Sequence, residues 1–185
     1  NPINGTPGND NLVGSTGNDA ITGLAGNDMI NAGAGNDIVD GGDGADTITG
    51  GAGADTLAGG ADDDLFLVTG SDLGGDALSG GAGTDTLRMT GATTLASSFS
   101  HSTLERLDMG GFTLTVSTAQ AVDLSALDLV NPGLIQGSTL ANVITGTRGG
   151  DTVNGLTGND TLGGAAGADT ITGGGGADAL AGGEG

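Results

Sequence analysis

Residues 5–67 read GTPGNDNLV, GSTGNDAIT, GLAGNDMIN, AGAGNDIVD, GGDGADTIT, GGAGADTLA and GGADDDLFL, units of nine residues laid end to end. In this frame the sixth position holds Asp10, Asp19, Asp28, Asp37, Asp46, Asp55 and Asp64. The eighth holds Leu12, Ile21, Ile30, Val39, Ile48, Leu57 and Phe66. A low-complexity Gly/Asp tract has no reason to keep two columns in phase, so the period is structural.

The period persists outside this stretch. Val68, Thr69 and Gly70 interrupt it; SDLGGDALS (71–79) and GGAGTDTLR (80–88) follow, with Asp76 and Asp85 at the sixth position. It resumes at 137 with GSTLANVIT, GTRGGDTVN, GLTGNDTLG, GAAGADTIT and GGGGADALA, which carry Asn142, Asp151, Asp160, Asp169 and Asp178. Of fourteen full units, thirteen have Asp at the sixth position and one has Asn142.

Nine residues divide into a turn of six and a strand of three. Gly at the first, second and fourth positions lets the backbone take φ > 0 and reverse sharply. Without Cβ atoms, carbonyls can converge on one point, and the sixth-position Asp adds a carboxylate. Calcium takes about 6–8 oxygen ligands at about 2.3–2.6 Å and accepts carbonyls and carboxylates together. One turn cannot supply so many, but two stacked turns can. Side chains alternate across a strand, so the eighth residue faces inward and its neighbours outward. Two units then make one coil, and coils stack at the strand spacing of about 4.7–4.9 Å.

These units resemble the RTX (repeat-in-toxin) nonapeptide GGxGxDxUx, in which U is a large apolar residue. The resemblance implies an all-β fold: a right-handed parallel β-roll, or β-solenoid, with two nonapeptides per coil and calcium bound in the turns. It implies multiple Ca2+ ions held by Asp10, Asp19, Asp28, Asp37, Asp46, Asp55, Asp64, Asp76, Asp85, Asp151, Asp160, Asp169 and Asp178. Sharing of ions between a repeat and the next but one puts Asp10, Asp28, Asp46 and Asp64 on one edge. Asp19, Asp37 and Asp55 fall on the other, continuing to Asp76. In the second block the edges are Asn142, Asp160 and Asp178, and Asp151 and Asp169. GSTLANVIT, with Leu140 and Asn142, is expected to open that block without a normal calcium turn. Asp62 and Asp63 are read as solvated, and a distorted coil is expected at 68–70.

Composition agrees with a thin core. The chain has 42 Gly and 3 Phe but no Trp, Tyr or Cys. Acids number 23 against 3 basic residues, a formal charge of −20. Such a chain repels nucleic acid and anionic membranes, and its compaction calls for a neutralising cation. One buried aliphatic residue returns about 1.5–3 kcal/mol per repeat. Ordering each backbone residue costs about 1–2 kcal/mol. Metal must supply the difference, so the calcium-free chain is expected to be disordered. The lack of Cys excludes disulfides and thiolate metal sites. No apolar run reaches membrane-spanning length, so no membrane insertion is expected. No signal peptide is visible. Starting at Asn1 and stopping inside a repeat reads as a processed product or an excerpt.

Residues 89–136 carry no repeat, which divides the chain into a first roll block (1–88), a spacer or capping segment (89–136) and a second roll block (137–185). Phe112, Leu114 and Val116 alternate with Thr and predict a strand. Ser117 to Leu124 suggests a short helix, and Asn131-Pro132-Gly133 a turn. Extra coils and a plug over the roll ends both suit this segment.

No catalytic constellation is visible, and the chain is not expected to be an enzyme. His101 is the only His, so HExxH and zinc clusters are excluded. There is no GxSxG, and without any Lys there is no phosphate-binding Walker loop. His101, Glu105 and Arg106 read as a surface cluster. Outer strand positions such as Thr47 and Thr49 suit lateral packing, and Gly185, Asn1 and Ile3 would nearly keep the nonapeptide register across an end-to-end junction. The expected function is a secreted, extracellular structural protein of S-layer, adhesin, matrix or filament type, at the cell surface of a Gram-negative bacterium. Its partners are calcium and other copies of itself. The alternative is the non-catalytic C-terminal module of a type I-secreted protease, lipase or toxin.

Overall fold

A computed structural model describes residues 1–95, 99–117, 119 and 121–185, and among them there is no helix. The first strands are Pro2–Asn4 (β1), Asn11–Val13 (β2), Ala20–Ala25 (β3), Met29–Ala34 (β4), Ile38–Asp43 (β5), Thr47–Ala52 (β6), Thr56–Ala61 (β7), Leu65–Gly70 (β8) and Ala77–Ala82 (β9). The central ones are Thr86–Leu95 (β10), Ser100–Ser102 (β11), Arg106–Asp108 (β12), Thr113–Val116 (β13), Ala121–Asp123 (β14), Asp128–Val130 (β15) and Leu134–Gln136 (β16). Val143–Thr145 (β17), Thr152–Asn154 (β18), Thr161–Gly163 (β19), Thr170–Thr172 (β20) and Ala179–Ala181 (β21) complete the set.

Up to β11 the strands pair with the next but one, and every pairing among the described residues is parallel. One sheet runs β1-β3-β5-β7-β9-β11, a second runs β2-β4-β6-β8-β10, and the eighth-position residues are in register: Ile21 with Val39, Val39 with Leu57, and Ile48 with Phe66. The chain is therefore a parallel β-roll with two nonapeptides per coil. Each coil is thin, and its interior is filled by the eighth-position column: Ile21, Ile30, Val39, Ile48, Leu57 and Phe66 are at most 3% exposed. The interruption at 68–70 lengthens one coil. Partners spaced 18 residues apart before it are 21 apart across it, and Val68 and Leu73 turn inward to fill the added space.

The segment after residue 88 joins the stack. Strand β10 pairs with β12 through Thr86–Arg88 and with β13 through Thr93–Leu95, so one wall becomes two. From there β12 pairs β15, the β13 wall continues through β16 and β18 to β20, and β14 leads through β17 and β19 to β21. A wider coil needs more filling, and Leu95, Leu104, Leu107, Met109, Leu114, Val116, Leu124 and Leu127 supply it. Arg88 Nε donates to Asp108 Oδ2 at 2.9 Å, while Asn131 Nδ2 and the Gly110 amide donate to Asp108 Oδ1.

Two local expectations need correction or relocation. Of the segment expected to be helical, Thr118 and Gln120 lie outside the described residues, but Ala121–Asp123 is strand β14. There Val122 is buried opposite Ile144, and inward packing plus pairing outweigh the local helix signal. His101 sits in register with the core residue Leu78, stacks on Phe99 with ring centroids 5.6 Å apart, and has Nε2 3.2 Å from the Asp123 carbonyl oxygen.

Candidate metal centres

Stacking brings the sixth-position acids into columns. The Asp10 amide donates to Asp28 Oδ1, Asp28 to Asp46, and Asp46 to Asp64, each at 2.8 Å. The column goes on through Asp85 Oδ1 to Glu105 Oε2, again at 2.8 Å. On the opposite edge the amides of Asp19, Asp37 and Asp55 donate to Asp37, Asp55 and Asp76. In the second block Asn142 donates to Asp160, Asp160 to Asp178, and Asp151 to Asp169. One oxygen of each of these carboxylates thus clamps the coil below it.

In eight of them the other oxygen has no donor. Oδ2 of Asp28, Asp37, Asp46, Asp55, Asp64, Asp85, Asp160 and Asp169 is buried without a hydrogen-bond partner. What it faces is more oxygen. The space a Cβ would take on Gly23 is bounded by Asp28 Oδ2 and the Gly41 carbonyl oxygen, and on Gly41 by Asp46 Oδ2 and the Gly59 oxygen. The arrangement recurs at Gly59 with Asp64 Oδ2 and Gly80 O, at Gly80 with Asp85 Oδ2 and Thr103 O, and at Gly155 with Asp160 Oδ2 and Gly173 O. An unpaired buried carboxylate oxygen is costly. Two acceptors converging with no N–H or O–H between them suit a cation. Hard oxygen donors of mixed carbonyl and carboxylate type suit calcium. Among the described residues no three His, Cys, Asp or Glu side chains gather at one point. Carbonyls must therefore supply most ligands, which is why first-position glycines matter.

The electrostatics carry the same message. Burial pushes the Asp46 carboxyl up to about 6, with the charges of Asp28 and Asp40 adding to it. Burial raises Asp64 to about 7, helped by Asp46, Asp85 and Asp62, and raises Asp76 to about 7, helped by Asp55 and Asp72. Asp55, Asp85 and Asp151 are pushed up by burial as well. Asp19 is the reverse case: the Ser15 amide, then the Ser15 hydroxyl and the terminal ammonium, hold it down to about 2.

Two groups of residues escaped the sequence reading. Glu105 caps the first acid column, on a turn outside any repeat. The fifth-position Asn side chains form a ladder of their own. Asn9 Oδ1 accepts from the Asn27 amide, Asn27 from Ala45, Asn18 from Asn36, and Asn36 from Ala54, at 2.9–3.2 Å. Asp63 is exposed and takes this ladder place, accepting from the Thr84 amide at 2.8 Å. The recurrence of Asn-Asp in units one to four was the available signal. Asp76 is buried, although its turn starts at Ser71 instead of Gly.

A parallel β-roll whose turns aim carbonyl and carboxylate oxygens at donor-free points defines a class of calcium-binding repeat proteins. The model of the RTX calcium-binding nonapeptide repeat matches residues 4–39, 32–66, 71–88, 136–170 and 157–185, and the chain belongs to that family. No match was found among curated proteins. The β-roll is a non-catalytic calcium-binding module. No helix among the described residues is long and apolar enough to cross a membrane.

Proposed function

We propose that the protein is a secreted, extracellular structural component whose roll is ordered by calcium along its acid columns. The thirteen sixth-position aspartates from Asp10 to Asp178 form the acid edges, the donor-free Oδ2 atoms among them face the ions, and the carbonyls of the stacked turns complete each coordination shell. The observation that carries this reading is the row of buried Oδ2 atoms without donors. When bound, calcium supplies the positive charge those oxygens face; the chain's own residues fix where it sits. Extracellular calcium modules work at about 10⁻⁴–10⁻³ M, so such a chain stays unfolded in a calcium-poor cytosol and folds after export.

Self-association is the finer part of the proposal. The outer strand positions are mostly uncharged, with Met29 and Val13 exposed on the second sheet and Ile38 on the first. Analytical ultracentrifugation and electron microscopy with millimolar calcium, against EGTA, test it. Calcium-dependent growth of ordered particles is expected. A folded monomer at every calcium concentration refutes the structural role and leaves the second reading, a passive module of a larger secreted protein.

A further inference from the structure

Apart from the interrupted turn at Ser71–Asp76, the repeat turns fall into two conformational kinds. In one kind the second and fourth residues are left-handed, as at Leu24 and Gly26 (φ 85° and 107°), Gly42 and Gly44 (111° and 115°), and Leu156 and Gly158 (72° and 141°). In the other kind the second residue is Ser or Thr, and neither it nor the fourth residue has positive φ. These turns start with Gly5-Thr6, Gly14-Ser15, Gly137-Ser138 and Gly146-Thr147, the first two repeats of each block.

The two kinds treat the sixth-position side chain in opposite ways. Every buried Oδ2 that lacks a donor belongs to a turn without a second-position Ser or Thr. In the Ser/Thr turns that oxygen is already taken. Asp10 Oδ2 accepts from the Thr6 amide and hydroxyl at 2.6 and 2.9 Å, and Asp19 Oδ2 from the Ser15 amide and hydroxyl at 2.6 and 2.8 Å. Asp151 Oδ2 accepts from the Thr147 amide and hydroxyl at 2.7 and 3.1 Å. The hydroxyl also accepts from the fourth-position amide, as in Leu140 to Ser138 and Gly149 to Thr147, both at 3.1 Å. An N–H and an O–H aimed at the carboxylate occupy the direction a cation would need.

A second observation is independent of these distances. The only unit that lacks an acid, Asn142, is a Ser/Thr turn. Its Oδ1 accepts from the Ser138 amide at 2.7 Å, and its Nδ2 donates to the Val116 carbonyl. A neutral amide does the same work there, so no positive ion is required. Leu140, the only Leu at a fourth position, is in the same turn, where left-handed backbone is not demanded.

We infer that the first coil of each repeat block is metal-free, closed by Ser/Thr hydroxyls instead of calcium, and that within each block ions are held only from the turns of Asp28, Asp37, Asp160 and Asp169 onward. Each ion sits between a turn and the coil above it, so the junction between the first coil and the next is closed by hydroxyls and the first ion lies one coil further along, between the turns of Asp28 and Asp46. This rests on the calcium reading above. The test is ion counting by native mass spectrometry on calcium-saturated protein, paired with anomalous diffraction at the calcium positions. Asp151→Asn should leave the count unchanged, Asp46→Asn should lower it, and Thr147→Gly, which frees Asp151 Oδ2 and permits a left-handed turn, should raise it by one. A calcium peak beside Thr6, Ser15, Ser138 or Thr147 in the wild-type map overturns the inference while leaving calcium binding intact. A loss of ions in Asp151→Asn does the same. A wild-type chain with no calcium at any turn overturns both.

Discussion

Chelating calcium at neutral pH leaves two files of buried carboxylates facing one another across single coils. Successive acids such as Asp28, Asp46, Asp64 and Asp85 occupy adjacent coils, about 4.8 Å apart. At an effective dielectric constant near 20, two like charges at that separation repel by about 3.5 kcal/mol. A handful of such neighbours matches the whole stability of an ordinary domain, about 5–15 kcal/mol. The calcium-free roll should therefore be unfolded at pH 7.5. Protons offer partial relief. Burial raises Asp46, Asp64 and Asp76 to about 6, 7 and 7 in the metal-free fold, from an ordinary carboxylate value of 3.8. A carboxylate whose folded pKa is raised binds protons more tightly when folded. Its contribution is fully present below the unfolded value and is lost as pH rises through the folded one. Acidification from pH 7.5 to 5 in EGTA should hence restore part of the β-structure. With calcium limiting, the same acidification should weaken the fold, because protons compete for the ligand oxygens. Far-UV circular dichroism across pH, with EGTA and with sub-saturating calcium, reads both arms. Full β-structure in EGTA at pH 7.5, or the same pH response in both solutions, refutes the reasoning.

Ile48→Ala empties a fully buried place in the single-file core and should cost about 2–5 kcal/mol, seen as a higher calcium midpoint and a lower melting temperature at saturating calcium. Gly51→Ala puts a Cβ against the Gly33 carbonyl at φ 94° and should destabilise by about 1–3 kcal/mol. Leu24→Gly relieves a left-handed Leu on an exposed turn and should stabilise by about 1 kcal/mol in the same melts. Asn27→Ala removes the acceptor of the Ala45 amide and should cost about 1 kcal/mol, with faster hydrogen exchange at Ala45.

The roll was legible because two demands repeat at every turn: an inward aliphatic residue at position eight and an acid at position six. Their spacing by nine also foretold which acids stack, and the amide-to-carboxylate chain from Asp10 to Asp64 follows that order. The segment after 88 was not legible in the same way. Its coils take variable lengths, Asp85 to Glu105 being 20 residues, and its strands are specified by a shared interior instead of a local motif. Glu105 was missed for that reason. The helix signal at 117–124 lost to the burial of Val122, a contact that local pattern cannot see. The difference between Gly-Gly and Gly-Ser/Thr turns was written in the sequence, yet its meaning needed the backbone angles and the direction of each donor.

Long-wavelength anomalous diffraction from crystals grown in calcium tests the central claim most directly. Peaks are predicted between successive coils, each within bonding distance of Oδ2 of Asp28, Asp46 or Asp64 and the first-position carbonyl of the coil above. A map with those oxygens satisfied by protein donors, and no anomalous signal beside them, contradicts the account.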